Sequence, residues 1–157
     1  MLTHAELREL QTKSLKMQGW IRQQTFSPEN EKTLRRFSSW EVAELILGVT
    51  RDPAHGFVLT LGLGGILTEL IRDTASVLVP ASREDVHAAL GSLRTAALLT
   101  GYRGRPAADL EAVVDTVMAL QSLVQTHADA LHEIEINPLI CRASDAVAAD
   151  ALIRMEE

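Results

Sequence analysis

The stretch that decides the fold is Glu133-Ile134-Glu135-Ile136-Asn137-Pro138-Leu139-Ile140, which is followed by Ala146-Val147-Ala148-Ala149-Asp150-Ala151-Leu152-Ile153. Apolar and polar side chains alternate in the first segment, as they do in a strand that buries one face. With apolar side chains on that buried face, the other face of the predicted strand carries Glu133, Glu135 and Asn137.

The residues around this strand predict how it is connected. Pro138 removes a donor from the hydrogen-bond ladder, which favours a strand end or a sheet edge at that point. The four residues Arg142-Ala143-Ser144-Asp145 suit a hairpin loop. A second strand returning from this loop would bring Asp150 beside Asn137.

Two interpretations of these polar residues stay open at this stage. Glu135, Asn137 and Asp150 would supply two carboxylates and an amide oxygen, and Mg²⁺ usually takes one or two protein carboxylates together with substrate phosphates. They would equally suit the solvated acidic face of an ordinary hairpin, because exposed acidic residues need no special explanation.

Composition describes an ordinary globular protein. The chain has 157 residues, 46% of them hydrophobic and 23% charged, which is enough for one real core. There is no apolar run of about 18 residues, so we expect no membrane span. The single cysteine, Cys141, excludes an internal disulfide framework and favours a reducing compartment, so we expect a cytoplasmic protein.

Charge divides the chain at about residue 40. Residues 1–40 hold seven Lys/Arg against four Asp/Glu, a balance of +3, whereas residues 41–157 hold eight against seventeen, a balance of −9. The acidic second part has no electrostatic footprint for nucleic acid. All lysines lie in the first part, which we expect to be a separate and largely helical N-terminal segment.

The second part begins with a predicted hairpin that leads into a glycine-rich turn. Two apolar strands, residues 43–49 and 57–61, precede Gly62-Leu63-Gly64-Gly65 and a helical run over residues 66–71. Glycines between a strand and a helix let backbone N–H groups approach an anion. Glycines that merely permit a tight turn or close packing would give the same pattern.

Helices account for most of the remaining sequence. Ser82 with Asp85 predicts a capped helix that runs to about residue 93, and a second helical piece is predicted over residues 95–99. The clearest helix spans residues 108–126, where apolar side chains recur at helical spacing. Strands and helices in this order predict an α+β fold of two layers, with a mostly antiparallel sheet packed against helices.

Four motifs together resemble a known family, the ATP-grasp portion of the NDP-forming acyl-CoA synthetases. This family includes the ADP-forming acetyl-CoA synthetases and the β-type proteins of succinyl-CoA synthetase. The motifs occur in family order over residues 41–155, and they are Glu44–Pro53 (ELILGVTRDP), Gly62–Leu70 (GLGGILTEL), Leu99–Pro106 (LTGYRGRP) and Glu133–Leu139 (EIEINPL).

The resemblance implies roles for individual residues. It assigns Mg²⁺ with ATP or ADP to the positions of Glu135, Asn137 and Asp150, and it places Arg51 and the Gly64-Gly65 turn near the nucleotide phosphates. It assigns no catalytic residue in this chain. In the family, the acyl-CoA is formed from an acid, CoA and ATP by way of an acyl phosphate and a phosphorylated histidine.

The sequence also departs from the family. Residues 1–40 do not resemble the first ATP-grasp subdomain, which supplies lysines for the phosphates, and the CoA-binding and phosphohistidine domains are not recognisable. We therefore expect the second half of an ATP-grasp fold, inactive as a ligase by itself. It would act either with a complementing synthetase subunit or as a homo-oligomer, or it would be a non-catalytic binding or assembly module left by truncation.

Overall fold

The structure, a computed structural model, describes residues 41–64 and 71–156. Within these ranges the chain forms six strands and three helices. They are β1 (Glu41–Asp52), β2 (Gly56–Leu63), β3 (Thr74–Leu78), α1 (Arg83–Ser92), α2 (Ala96–Leu99), α3 (Leu110–Thr126), β4 (Leu131–Arg142), β5 (Ala146–Ala148) and β6 (Ala151–Met155). The predicted α+β fold with a mostly antiparallel sheet is confirmed.

All six strands belong to one antiparallel sheet. The order is β3-β2-β1-β4-β5, and β6 pairs with β4 on the same side as β5. Strand β4 is therefore central, with β1 along one side and the pair β5 and β6 along the other. This arrangement puts the stretch 133–140 in the middle of the sheet rather than at its edge.

One face of the sheet forms the core with the apolar sides of the helices. Leu45, Leu47, Val49, Leu59, Leu61 and Ile134 of the strands are 2% exposed or less. The predicted stripe of α3 packs in the same cluster, with Val113, Val114, Val117 and Val124 fully buried. Burial of this apolar surface is the main force that holds helix and sheet together.

The strand positions that alternate with the core form a second side of the sheet, which we call the outer face. It comprises Glu44, Ile46, Gly48 and Thr50 of β1, Val58, Thr60 and Gly62 of β2, Thr74, Ser76 and Leu78 of β3, Glu133 and Glu135 of β4, and Leu152 and Arg154 of β6. Residues that pair across antiparallel strands point to the same face, which fixes this membership.

Most predicted elements are confirmed in the described ranges. The β1–β2 hairpin and the loop 142–145 are both present. Ser82 accepts from the backbone of Asp85, and the Asp85 side chain accepts from the backbone of Ser82, which is the predicted capping box at the start of α1. The helix expected over 66–71 and the segment 1–40 lie outside the described residues, apart from Ile71 at the helix end.

One detail of strand β4 was predicted wrongly. The alternation of buried residues that includes Ile134 and Ile136 changes phase and continues at Leu139 and Cys141, because β4 has one more residue than β1 between these positions. Pro138 thus lies at a bulge inside a central strand, not at a strand end.

No helix in the described part of the chain is long and apolar enough to cross a membrane.

Candidate metal site on strand β4

The candidate site forms where the bulge in β4 faces the break between β5 and β6. The backbone N–H of Asn137 donates to the carbonyl oxygen of Asp150 at 3.2 Å. The backbone N–H of Ala149 donates to the carbonyl oxygen of Pro138 at 3.0 Å. These two bonds hold the bulge and the break together, so Asp150 lies beside Asn137 as the sequence predicted.

The local sequence explains this geometry. Pro138 has no N–H to give to a neighbouring strand, and a bulge is one of the few places in a central strand that tolerates this loss. Opposite it, the second segment forms two short strands instead of the one that was predicted, with Ala149 and Asp150 between them. Asp150 Oδ1 accepts from the backbone N–H of Ala151 at 2.9 Å, which orients its carboxylate at the start of β6.

Asn137 joins the other two predicted ligands, Glu135 through its side chain and Asp150 through its backbone. Asn137 Nδ2 donates to Glu135 Oε1 at 3.2 Å. Asn137 and Asp150 are exposed, and Glu135 is half-buried. A flip of the Asn137 amide exchanges its oxygen for its nitrogen, so the side chain can offer an acceptor in the same place.

This donor set fits Mg²⁺. Within the described residues, Glu135 Oε2 and Asp150 Oδ2 accept no hydrogen bond, so each carboxylate keeps an oxygen for a cation. Two carboxylates with one amide match the hard oxygen ligands that this ion prefers, and substrate phosphates and water would complete its shell. No group of three or more His, Cys, Asp or Glu in the described ranges could hold a metal by itself, so this mixed set is the candidate.

Glu133, on the same strand, forms an ion pair instead of joining the predicted ligands. Its Oε2 lies 3.1 Å from Arg154 Nη1, on the neighbouring strand β6. The guanidinium balances the charge of Glu133, so Glu135 and Asp150 remain as the carboxylates at the bulge.

The other predicted nucleotide contacts are placed differently. The backbone N–H of Gly64 donates to the carbonyl oxygen of Glu44 at 2.8 Å, so this N–H holds the end of β2 against β1. Gly65 lies outside the described residues. Arg51 is exposed, and its Nη1 lies 3.9 Å from Glu156 Oε2. Gly64 follows Leu63, which pairs with Leu45 on β1. Arg51 is six residues along β1 from Leu45, so Arg51 and Gly64 are separated by about 20 Å at the usual strand rise. Arg51 and Gly64 therefore do not meet at one point.

Sequence reasoning overlooked Gly48. This residue lies in the middle of β1 and pairs with Thr60 on one side and Glu135 on the other. An isolated glycine inside an otherwise apolar strand was the available signal, because such a residue often marks close approach of a ligand or another backbone.

The antiparallel sheet packed against helices is the fold of ATP-grasp-like proteins. The model of the family described as the ATP-grasp domain matches residues 7–155. The chain belongs to this family, and specifically it is an ATP-grasp domain of the kind found in NDP-forming acyl-CoA synthetase-like proteins. The match begins inside the segment 1–40, for which the sequence motifs gave no resemblance.

Curated relatives are acid–CoA ligases. The chain is 34% identical over 112 residues to the β subunit of the ADP-forming acetate–CoA ligase II of Pyrococcus furiosus, covering 70% of this chain and 48% of the relative. It is 31% identical over 106 residues to the ADP-forming acetate–CoA ligase of Methanocaldococcus jannaschii, covering 68% of this chain and 15% of the relative. The chain thus spans about half of the first relative and a smaller share of the second.

Solved structures share the fold. The dinucleotide-forming acetyl-coenzyme A synthetase 1 of Candidatus Korarchaeum cryptofilum, solved with coenzyme A and Mg-AMPPCP, superposes with a TM-score of 0.68 at 32% identity. The superposition covers 73% of this chain and 53% of that one. A structure from Pyrococcus horikoshii gives a TM-score of 0.69 at 31% identity, covering 73% and 48%.

Proposed function

We propose that this domain carries the magnesium half of a nucleotide site in an acid–CoA ligase. The observation that supports this proposal best is the polar group at the β4 bulge, where Asn137 contacts Glu135 by its side chain and Asp150 by its backbone. Glu135, Asn137 and Asp150 would hold Mg²⁺, and the nucleotide would be ATP or ADP. The relative solved with Mg-AMPPCP is consistent with this assignment.

The residues of this chain would bind and orient the nucleotide. When bound, Mg²⁺ supplies charge neutralisation for the phosphates and for the phosphoryl group that is transferred. Glu135 and Asp150 would fix the position of the ion. The backbone hydrogen bond from Asn137 to Asp150 would keep the distance between strand β4 and Asp150 constant. We assign no proton transfer to this chain, since nothing in the described residues is placed for it.

We further propose that the domain does not form acyl-CoA alone. Catalysis of phosphoryl transfer needs charge-stabilising groups around the phosphates, arranged before the reaction. Arg154, on the strand β6 that pairs with β4, is engaged with Glu133. A complementing polypeptide or a second copy would supply the rest, and two relatives are themselves named as β subunits.

The outer face supports the need for a partner. Two of its large apolar side chains, Leu78 and Leu152, are 55% and 46% exposed. Exposed apolar residues on the face that carries the candidate site favour an additional surface packed over them. Sedimentation would test self-association: a dimer or larger species is expected if a second copy is the partner, and a monomer would leave a complementing subunit.

Binding and activity can be tested separately. Calorimetric titration of the purified chain with AMPPCP should show binding in the presence of Mg²⁺ that is lost with EDTA and falls at least tenfold in Asn137→Ala and Asp150→Ala. Asp129→Ala is the matched control, because Asp129 is an exposed carboxylate in the turn between α3 and β4, away from the bulge. Equal binding in all four proteins would contradict the metal site.

The ligase prediction uses a coupled assay with acetate, CoA, ATP and Mg²⁺. We expect no acyl-CoA above background from the pure chain. Robust product formation would show that the chain is a complete enzyme and would overturn the half-site interpretation.

A non-catalytic binding or assembly module is the second candidate. The chain spans 48% of the first relative, so about half of that ligase has no counterpart in the matched part of this chain. A folded chain that binds no nucleotide with Mg²⁺, and gives no activity when mixed with candidate partners, would favour this function.

A further inference from the structure

Packing among the described residues does not require glycine at position 48. Among the described residues, nothing lies within 4 Å of a Cβ atom built on Gly48, and its φ is not in the left-handed region. Gly62 and Gly64 differ, because a Cβ there would lie 2.5 Å from the carbonyl oxygen of Asp73 and 2.7 Å from the carbonyl carbon of Leu45. Those two glycines are required by packing, whereas a side chain at Gly48 would meet none of the described residues.

A bulge does not explain Gly48 either. The register around it is regular, with Leu47 opposite Ile136, Gly48 opposite Glu135 and Val49 opposite Ile134. The irregularity between β1 and β4 falls on the other side of Leu47. An interior glycine weakens a strand relative to alanine, and such a residue often marks the close approach of a ligand or of another backbone.

Gly48 lies in a row of outer-face residues that crosses the sheet. The row runs from Glu135 on β4 through Gly48 on β1 to Thr60 on β2 and Ser76 on β3. Three strand spacings make it about 14 Å long. The hydroxyl groups of Thr60 and Ser76 lie 3.0 Å apart, so the row ends in a pair that can both donate and accept.

This row would suit an extended polar ligand. Glu135 at one end belongs to the proposed magnesium group, and the hydroxyl pair at the other end offers hydrogen bonds to phosphate or sugar oxygens. Between them lies Gly48, which has no side chain and therefore leaves a low point in the outer face. The strand spacing puts Gly48 about 5 Å from Glu135, close enough for a ligand held at the metal to pass directly over it.

We propose that Gly48 is a size-determining residue of the nucleotide site, over which the Mg²⁺-bound nucleotide extends from Glu135 toward Thr60 and Ser76. This inference rests on the proposed function, because it takes the nucleotide as the ligand at Glu135. It adds a surface on β1, β2 and β3 that the metal ligands do not define. Steric access above the sheet, rather than charge, is the property that Gly48 provides.

Titration with AMPPCP and Mg²⁺ tests the proposal in a set of substitutions. Gly48→Ala should keep affinity within threefold, and Gly48→Leu should lower it at least tenfold by filling the low point. Thr50→Leu is the matched control, because it adds an apolar side chain to the same face of the same strand, one position beyond the row, and should keep affinity within threefold. Thr60→Val removes the hydroxyl with little change in shape and should weaken binding at least threefold.

Thermal unfolding keeps the binding results interpretable. A Cβ at Gly48 has room, so Gly48→Ala should leave Tm unchanged or raise it, and Gly48→Val serves in place of Gly48→Leu if the larger side chain prevents folding. Loss of folding in both the valine and the leucine variants would show that the position is packed and would overturn the inference.

The possible outcomes separate this inference from the proposed function. Wild-type binding that Asp150→Ala abolishes but Gly48→Leu leaves unchanged would overturn the role of Gly48 alone. Unchanged binding in Thr60→Val would overturn the extension toward β2. Wild-type protein that binds no nucleotide would overturn the proposed function and the inference together.

Discussion

The backbone N–H of Asn137 lies 3.2 Å from the carbonyl oxygen of Asp150 and donates a hydrogen bond to it. The bond joins the bulge of β4 to the break between β5 and β6, and it involves no side-chain atom. The relative position of the two residues is therefore set by the backbone of the sheet, and it does not depend on their side chains. Residues placed by a rigid sheet are well suited to hold a cation.

Substitutions at this pair should separate stability from binding. Asn137→Ala and Asp150→Ala keep the backbone bond and remove only exposed side-chain contacts, so each should change the free energy of unfolding by about 1 kcal/mol or less. Chemical denaturation followed by circular dichroism measures this change. A loss of several kcal/mol would mean that these side chains are structural.

Asp73 is expected to stabilise the fold by a different kind of contact. It is 6% exposed, and its carboxylate accepts from the backbone N–H groups of Arg94 and Thr95 and from the Thr95 hydroxyl. Asp73→Ala leaves these donors without their acceptor and should lower the free energy of unfolding by about 2–3 kcal/mol. Asp129→Ala, at an exposed position, should change it by less than about 0.5 kcal/mol.

The contribution of Asp73 should depend on pH. Burial raises the pKa of Asp73, but the hydrogen bonds from Thr95 and Arg94 outweigh it and hold the pKa below its ordinary value of 3.8. A carboxyl group with a lowered pKa in the folded state stabilises fully above its unfolded pKa, and this stabilisation is lost as pH falls through the folded pKa.

Unfolding measurements on wild type and Asp73→Asn test this dependence. The difference between the two should be constant at neutral pH and should shrink as pH falls below about 4, toward the folded pKa. A difference that stays constant into the acid range would contradict a lowered pKa in the folded state.

The sequence predicted the helices and strands better than it predicted the irregularities within them. The stripe of α3 and the β1–β2 hairpin follow directly from apolar periodicity, and these patterns survive because each element buries one face. The bulge at Asn137-Pro138 was missed, because one extra residue in a strand leaves no mark in composition while it moves every later side chain to the other face.

The candidate site was predictable in part for the same reason. Glu135, Asn137 and Asp150 were named from the resemblance and from strand pairing. The structure joins Asn137 to Glu135 by a side-chain hydrogen bond and to Asp150 by a backbone hydrogen bond, and the role of the three as metal ligands stays a prediction. The distance between Arg51 and Gly64 could not be judged from sequence, since it depends on how many residues of β1 and β2 pair in the hairpin. Close packing at Gly64 was one of the two explanations that the sequence offered, and the structure supports it, because a Cβ atom there would lie 2.7 Å from the carbonyl carbon of Leu45 on strand β1.

Gln121 is a buried polar residue whose loss should be costly. It is 3% exposed, and its side-chain amide accepts from the N–H of Ala81 at 2.6 Å and donates to the carbonyl oxygen of Ala81 at 3.2 Å. Gln121→Leu keeps the size but leaves both backbone groups without partners, which should lower the free energy of unfolding by about 2–4 kcal/mol.

The neighbouring Ser122 gives a control on the same helix. Its side chain is exposed, so Ser122→Leu should change stability by less than about 0.5 kcal/mol. Equal effects at the two positions would show that the Ala81 contact does not stabilise the connection between β3 and α1.

The glycines of β1 and β2 provide the last prediction, because they differ in what a single methyl group would meet. Gly62→Ala would place a Cβ atom 2.5 Å from the backbone oxygen of Asp73, and backbone atoms cannot move aside as the end of a flexible side chain can. It should therefore destabilise the protein by about 1–3 kcal/mol through overpacking, whereas Gly48→Ala should be neutral or stabilising. Denaturant midpoints of the two variants measure the contrast, and a Gly62→Ala protein as stable as wild type would show that the backbone at Asp73 relaxes freely.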